Sequence, residues 1–388
     1  MSAGVRVALF FAALFSAGAI NTAFLPLWFA DRGLSAVAIG QVLGVSSLLR
    51  VFAGPSWGTF ADRIGRRRPV LLVAAVTASV AALFYLPLRG FLPLLLVASV
   101  QGVAASALNP LIDSLALQLA RDKRMEYGPV RSIGSIAYMA ASAGAGWLLS
   151  VTGSWVVPWL LVGSYGSAAA VTPLLPEASQ VPAAPRAWAG LRLLANRPFR
   201  LTVLASALIQ GAHAAYYCFA PLYWRSQGLS DSVIGLLVAE GIIAEVALFA
   251  WGRGLVERLG PAGLTACAAG ASLIRWGVTA CAPPLGVLAV IQLLHAATFA
   301  MQHLSAMLVL SRAVPPERAA TAQALHGALG YGAPTGLLML LAGLLYARFN
   351  GLAFLAMAAI GGSALVLVRR LARVIVSSPS PAPRPSRP

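Results

Sequence analysis

Charge is scarce in this 388-residue chain: Asp, Glu, Lys and Arg make up 10% of it, 11 residues are acidic, and Lys123 is the single lysine. A soluble domain carries about 25% charged residues, so a chain built for water is excluded. Cysteine is equally thin. Cys218, Cys267 and Cys281 all fall in apolar stretches, where they behave as small hydrophobes; neither a disulfide framework nor a metal site is suggested. No His-Glu-x-x-His, Gly-x-Ser-x-Gly or Cys-x-x-Cys run occurs, which removes common signatures of hydrolytic, metal and redox chemistry. The chain is expected not to be an enzyme.

What the sequence has instead is apolar surface, with 59% hydrophobic residues and a mean hydropathy of +0.81. A spanning helix needs about 20 mostly apolar residues, so this share of the chain is about what twelve spans use, and little is left for a soluble domain. The runs far exceed the roughly 10 alternating residues of a barrel strand, which excludes an outer-membrane barrel. The first stretch, Val5 to Phe29, is too long for a signal peptide's core and meets no small-residue cleavage site. It is expected to remain as the first span.

A net charge of +17 invites a nucleic-acid partner, and the placement of the basic residues argues against one. Arg32, Arg89, Arg225 and Arg348 lie in alternate loops, Arg50, Arg131 and Arg275 lie inside spans, and every other Lys and Arg falls at one set of span ends. That is the positive-inside pattern, with both termini cytoplasmic. The expectation is a multi-pass protein of a bacterial inner membrane, surrounded by the lipid bilayer, acting as a monomer on a small-molecule substrate.

Apolar runs set against Pro, Gly and Arg breaks place spans near 5–30, 36–60, 69–87, 92–119, 128–151 and 155–175, then near 199–224, 231–252, 261–281, 285–311, 319–347 and 351–371. The division is a first bundle at 1–175, a polar cytoplasmic linker at 176–198, a second bundle at 199–373, and a Ser-, Pro- and Arg-rich tail at 374–388 expected to be disordered. An internal repeat supports it. At a shift of 195, Phe24, Pro26 and Leu27 fall on Phe219, Pro221 and Leu222, Gly33-Leu34-Ser35 on Gly228-Leu229-Ser230, Ile39-Gly40 on Ile234-Gly235, and Arg63 and Gly65 on Arg258 and Gly260. Two six-helix units in the same orientation form a parallel repeat, in which substrate sits between halves that rock about it.

Gly58-Thr-Phe-Ala-Asp62-Arg63-Ile-Gly65-Arg66-Arg67-Arg68 resembles the signature loop of the major facilitator superfamily. The resemblance implies an all-α integral membrane fold of twelve transmembrane helices in two six-helix bundles. It also marks Gly58, Asp62, Arg63, Gly65 and Arg66 as a conformational gate, where an acid and arginines at a tight turn pair with neighbouring helix ends. The second copy, Trp251-Gly252-Arg253 to Glu257-Arg258-Leu-Gly260, is degenerate.

Inside the predicted spans lie Arg50, Asp113, Arg131, Glu240, Glu245 and Arg275, with His213, His295, His303 and His326 in the second half. Each charge costs roughly 2.5 to 3.5 kcal/mol at mid-bilayer on insertion scales, so these side chains must pair or face water. Structural ion pairs and a substrate path both answer that demand. Asp113 and Arg131 lie nine residues either side of Asp122, so a helical hairpin brings them to equal depth. The lactose permease branch carries a substrate-binding Glu and Arg at this separation, and Tyr127-Gly128-Pro-Val-Arg131-Ser-Ile-Gly134 resembles its Arg segment; the resemblance implies substrate contacts at Asp113 and Arg131. Leu273-Ile-Arg275-Trp276-Gly277 and Leu293-Leu-His295 also resemble that branch. Where it has a proton-carrying Glu, this chain has Thr298. Glu245, a carboxylic acid on a spanning helix, is the natural replacement. By the shift of 195 it sits opposite Arg50, a candidate ion pair across the interface of the halves.

Leu208-Ile-Gln210-Gly-Ala-His213-Ala-Ala-Tyr216-Tyr217, Ala244-Glu245-Val246, Arg275-Trp276-Gly277 and Gln292-Leu-Leu-His295-Ala-Ala-Thr298-Phe299 through His303 resemble the 3-phenylpropionate permease branch of the superfamily. The resemblance implies an aromatic carboxylate carried with protons. Gln292, His295, Phe299 and His303 share one helix face, with His213, Tyr216 and Tyr217 nearby. Rings there can flank a phenyl group, and Arg131 or Arg275 can accept its carboxylate bidentately. A helix-packing stripe with satisfied histidines is the plainer alternative. The expected function is therefore proton-coupled symport of an aromatic or other monocarboxylate. Substrate binding is expected at Asp113, Arg131, Arg275, His213, Tyr216, Tyr217, Gln292 and Phe299, and proton coupling at Glu245, His295 and Asp113. No cofactor beyond the proton and no metal is expected. Sugar or nucleoside symport, drug efflux and a non-transporting sensor are the alternatives.

Overall fold

The computed structural model describes residues 1–177, 187–315 and 318–376, and among them no strand occurs. Ser2 caps α1 (Ala3–Ala23) by accepting from the Val5 amide. The first span continues after a break at Phe24 as α2 (Leu25–Asp31), because Pro26 has no N–H and its ring displaces the carbonyl one turn earlier. Ser35 caps α3 (Ala36–Ile64), which stops at Gly65, whose φ of 69° suits glycine. Then come α4 (Arg67–Phe84), α5 (Phe91–Ala105) and α6 (Leu108–Arg121), the last two parted just before Pro110. The first half closes with α7 (Tyr127–Thr152) and α8 (Val157–Val171).

The second half begins earlier than its polar composition suggests. Residues 178–186 of the expected linker lie outside the described residues, but Ala187–Ala195 forms a 3-10 helix that buries Leu193 with Phe199 and Leu325. Asn196 then caps α9 (Arg197–Gly211). The chain continues through α10 (Ala214–Ser226), α11 (Asp231–Trp251) and α12 (Arg253–Ala280), the last kinked at Gly260. Next are α13 (Leu285–Gln292), a π segment (Ala296–Met301) and α14 (Gln302–Ala313). A second π segment (Gly327–Gly332) separates α15 (Ala319–His326) from α16 (Ala333–Phe349), where Pro334 leaves a carbonyl of the preceding turn without its donor. The last elements are α17 (Ala353–Ser363) and α18 (Leu365–Val376). Helix thus runs into the expected tail, whose residues 377–388 lie outside the described residues.

Among the described residues, ten stretches are long and apolar enough to cross a membrane, and the last, Ala319–Val374, covers 56 residues with a turn at Asn350, φ 48°. Val73, Val76, Val80, Leu92, Leu96 and Val100 expose apolar side chains on α4 and α5, as a lipid-facing surface requires.

Positions matched by the shift of 195 share their conformations. Gly33 and Gly228 have φ of 84° and 85°, and Ser35 and Ser230 both cap the following helix. Gly40 and Gly235, also equivalent, sit where the halves touch. A β-carbon on Gly40 would lie 2.7 Å from the Met339 carbonyl and 2.8 Å from the Gly343 Cα, and one on Gly146 would lie 2.5 Å from the Asp231 carbonyl and 3.1 Å from the Gly235 Cα. Small residues let α3 approach α16 and α7 approach α11 this closely. These contacts lie at the end of the bundle away from the basic loops. Toward the basic end, α6, α9, α14 and α15 make their main packing contacts within their own half. A cleft therefore opens between the halves on the basic side.

Candidate functional site

The second-half candidates gather where helices are irregular. His213 follows the break between α9 and α10, Thr298 and Phe299 sit in the first π segment, and Tyr331 sits in the second. At the centre is Arg275 of α12, with no exposed surface. Its Nη1 donates to His295 Nδ1 and to Thr298 Oγ1, both at 3.1 Å, and its Nη2 donates to Gln292 Oε1 at 2.9 Å. The guanidinium lies over the rings of Tyr216 and Trp276, 4.7 and 4.5 Å from their centroids. No carboxylate touches it among the described residues, which is unusual for a buried charge.

Arginine has only donors, so these bonds fix the neighbouring tautomers. His295 Nδ1 must accept, so its ring proton sits on Nε2, which faces Glu245 Oε2 at 3.3 Å. His213 Nδ1 meets the Ile209 carbonyl at 3.1 Å and must donate there. Its Nε2 is left to accept the Thr298 hydroxyl proton at 3.1 Å. Glu245, His295, Arg275, Thr298 and His213 thus form one directed chain of polar contacts. Phe299 stacks on His295, with ring centroids 5.4 Å apart, and Tyr217 stacks on His213 at 5.8 Å. Tyr331 meets Phe299 edge to face at 6.3 Å.

The structure therefore brings together seven expected residues: Arg275, His213, Tyr216, Gln292, His295, Phe299 and Glu245. Tyr217 lies on their edge. Gln292 is buried and spends its amide oxygen on Arg275, so it holds the arginine and does not line the cleft. His303 is within electrostatic range of Glu245. His326 belongs to a separate cluster, where its Nε2 and Gln302 Nε2 both meet Ser206 Oγ at 2.9 Å. Glu240 shares a helix face with the exposed Leu236 and Ile243, away from Glu245.

In the first half, Arg131 Nε stands 3.5 Å from Asp113 Oδ1, as the hairpin geometry predicts. Tyr127 donates to the same oxygen at 3.1 Å, and the Arg131 guanidinium lies 4.2 Å from the Phe15 ring centroid. The expected Arg50 to Glu245 ion pair is not formed, because Glu245 pairs with His295. A repeat fixes depth and helix but not distance across an open cleft. Tyr331 is within electrostatic range of both charges. The signal for it in the sequence is a tyrosine set between Gly330, Gly332 and Pro334 in an apolar span.

The expected gate residues tie to neighbouring helix ends of their own half. Arg66 Nη2 reaches Glu177 Oε1 at 2.6 Å, and Arg67 Nη1 reaches Gln118 Oε1 at 2.8 Å, so both ties stay within the first half. Asp62 is within electrostatic range of Arg67. Gly65 supplies the left-handed cap that lets Arg66 leave the helix, and a β-carbon on Gly58 would meet open space. Among the described residues, the ion pair that crosses between the halves, at the opposite end, joins Asp31 to Arg225 at 3.0 Å.

Two matching helical halves around a charged cleft open at one end define a membrane transporter for small molecules. The chain belongs to the MFS_1 like family, whose model matches residues 5–356; it is a multi-pass transporter of the major facilitator superfamily and not an enzyme. It is 29% identical over 362 residues to the “Probable 3-phenylpropionic acid transporter” of Escherichia coli (strain K12), covering 92% of this chain and 95% of that protein. It is 29% identical over 322 residues to the maltose permease of Geobacillus stearothermophilus, covering 82% of each. Among solved structures, the nucleoside transporter NupG matches with a TM-score of 0.77 at 16% identity, covering 97% of this chain and 99% of that one. A D-xylose-proton symporter matches with 0.64 at 17% identity, covering 95% and 97%. At these identities the likeness is one of fold.

Proposed function

We propose that this transporter is a proton-coupled symporter of a small aromatic or other monocarboxylate, such as 3-phenylpropionate, working by alternating access in a bacterial inner membrane. One observation carries the reading: a buried arginine without a carboxylate partner is joined through His295 to Glu245, beside the rings of Tyr217, Phe299 and Tyr331. The uncompensated charge of Arg275 favours an anion in the cleft beside it without contact, the rings favour an aromatic body, and Glu245 is placed to take the proton. Asp113 and Arg131 complete the opposite wall, with Tyr127 and Phe15. The name of the Escherichia coli relative supports the same substrate class. With twelve spans and both termini on the cytoplasmic side, as the basic loops indicate, the cleft faces inward. The chain then acts as a monomer in the bilayer with the proton as coupling ion.

The test is uptake of labelled 3-phenylpropionate into proteoliposomes under an imposed inward proton gradient, with Asp113→Asn in parallel. Gradient-dependent accumulation by the wild type, lost in the variant, is the expected result. The similarity to a maltose permease gives a second reading, a neutral sugar. Maltose accumulation with no 3-phenylpropionate uptake is the outcome that would replace the first reading with the second.

A further inference from the structure

We propose that Arg50 is the receptor for the substrate's carboxylate, a specificity-determining residue on the first-half wall of the cleft. The assignment rests on the carboxylate-symport reading and goes beyond it by choosing among three arginines.

Arg275 is closed to substrate. Both Nη1 protons are engaged, Nη2 holds Gln292, and the rings of Tyr216 and Trp276 lie within 5 Å of its guanidinium, which is fully buried. Its Nε has no hydrogen-bond partner among the described residues, but it is as fully buried as the rest of the group, so a carboxylate reaches that edge only if the packed rings part. Arg131 is already compensated, since Asp113 stands 3.5 Å from its Nε and the Phe15 ring lies against its plane.

Arg50 differs from both. It is exposed, and among the described residues it has no ion pair. Its position on α3 is set by two flanking contacts. Gly44 and Leu48 pack against α16, and Ser46 Oγ donates to the Ala98 carbonyl on α5 at 2.8 Å. Between those two faces, Arg50 shares a stripe with Leu43, Ser47 and Gly54 at helical spacing. Phe52 and Leu49, on the outer side, expose 60% and 41% of their surfaces as lipid-facing residues do. The Arg50 stripe therefore faces the cleft, where Tyr165 and Tyr331 are within its electrostatic range.

Charge arithmetic points the same way. Arg50, Arg131 and Arg275 face Asp113 and Glu245 across this region, which leaves one cation in excess. A carboxylate offsets that cation and a neutral sugar leaves it; with the coupling proton on Glu245 the excess is two, and the demand for an anion is greater. Beyond Arg50 come Tyr331 and then Phe299, 6.3 Å apart at their centroids. A ring attached to the carboxylate by a short chain meets aromatic walls there.

The experiment is equilibrium binding of 3-phenylpropionate and of its neutral analogue 3-phenylpropionamide to the full-length protein in nanodiscs. Wild type is compared with Arg50→Gln, Arg50→Lys and Arg275→Gln. The preference for carboxylate over amide is a ratio, so it is insensitive to the fraction of protein that is folded. A charge-assisted contact of this kind contributes a factor of about 10 to 100. Arg50→Gln is expected to abolish the preference, Arg50→Lys to restore part of it, and Arg275→Gln to leave most of it. An unchanged preference in Arg50→Gln overturns the assignment while leaving carboxylate transport standing. Wild type that binds neither 3-phenylpropionate nor benzoate nor lactate overturns the carboxylate reading, and the assignment with it.

Discussion

Asp31 and Arg225 join the two halves of the transporter. Arg225 Nη1 donates to both carboxylate oxygens of Asp31 at 3.0 Å, while its Nε and Nη2 hold Asp231 at 2.9 and 2.8 Å. Asp231 belongs to the same half as Arg225 and keeps the guanidinium oriented. Asp31 belongs to the other half, so its contact exists only while this end is closed. Ser232 donates to Ser150 across the same interface at 2.8 Å.

Breaking that contact is expected to favour opening of this end. A partly exposed ion pair contributes about 0.2 to 1 kcal/mol, or up to roughly fivefold in an equilibrium. Asp31→Asn should raise the labelling rate of a cysteine placed at Leu34 by a membrane-impermeant thiol reagent by that factor. Asp231→Asn should do less, since that partner does not cross the interface. Equal rates in wild type and Asp31→Asn would show that the ion pair does not hold the halves.

Steric closure at the same end gives a larger effect. A side chain on Gly40 collides with the Met339 carbonyl only when α3 and α16 are close, so Gly40→Leu penalises the closed state by about 1 to 3 kcal/mol. That is roughly 5- to 150-fold in population. Uptake should fall at least about fivefold while Leu34→Cys labelling rises. A variant that transports normally would mean that the glycine contact is not on the transport cycle.

The hydroxyl of Thr298 accepts from Arg275 and donates to His213. Thr298→Val keeps the shape and removes both bonds, leaving a buried donor and a buried ring nitrogen without partners at about 1 to 3 kcal/mol each. The thermal transition should fall by several degrees, and Thr298→Ser should recover it. Equal transitions for Val and Thr would show that water replaces the hydroxyl.

Much of this was legible in the sequence. The apolar runs mark segments that the structure makes helical, ten stretches of them apolar and long enough to span among the described residues, and the shift of 195 matched residues that share conformation, as Gly33 and Gly228 do. Equal depth in a hairpin correctly paired Asp113 with Arg131, because antiparallel neighbours have only one register to get right. The Arg50 to Glu245 pairing failed because a repeat carries no information on how far apart the halves stand. The face shared by Gln292, His295, Phe299 and His303 is interrupted by the π segment Ala296–Met301, whose extra residue turns the rest of the helix by about 100°. Counting at a period of 3.6 cannot see that insertion. Arg225 looked like an ordinary loop charge, since its partner Asp31 lies 194 residues away.

The basic-end tie offers a pH prediction. Glu177 is exposed, and the hydrogen bond from Arg66, aided by the Arg66 and Arg68 charges, holds its carboxyl below the usual range. A depressed value means that the contact is complete above the ordinary glutamate value of about 4.3 and is lost only as pH falls through the lowered one. Between pH 5 and 8 the tie does not titrate. Glu177→Gln should therefore leave the shape of the uptake-versus-pH curve unchanged, whatever it does to the rate. A displaced curve would assign part of the pH dependence to this turn.

The proposed proton coupling has its sharpest test in the directed contacts around Arg275. Arg275 fixes the His295 proton on Nε2, facing Glu245, so a proton arriving from the cleft meets Glu245 before it meets a free histidine nitrogen. Replacing the acid with a permanent neutral mimic should separate two activities. Glu245→Gln is expected to lose uphill accumulation driven by a proton gradient, while substrate exchange across the membrane, which needs no net proton movement, continues within a few-fold of wild type. His295→Leu should impair both, because it also removes an acceptor from the buried arginine. Uphill accumulation by Glu245→Gln at the wild-type level would place the coupling proton elsewhere, and Asp113 would be the next carboxylate to test.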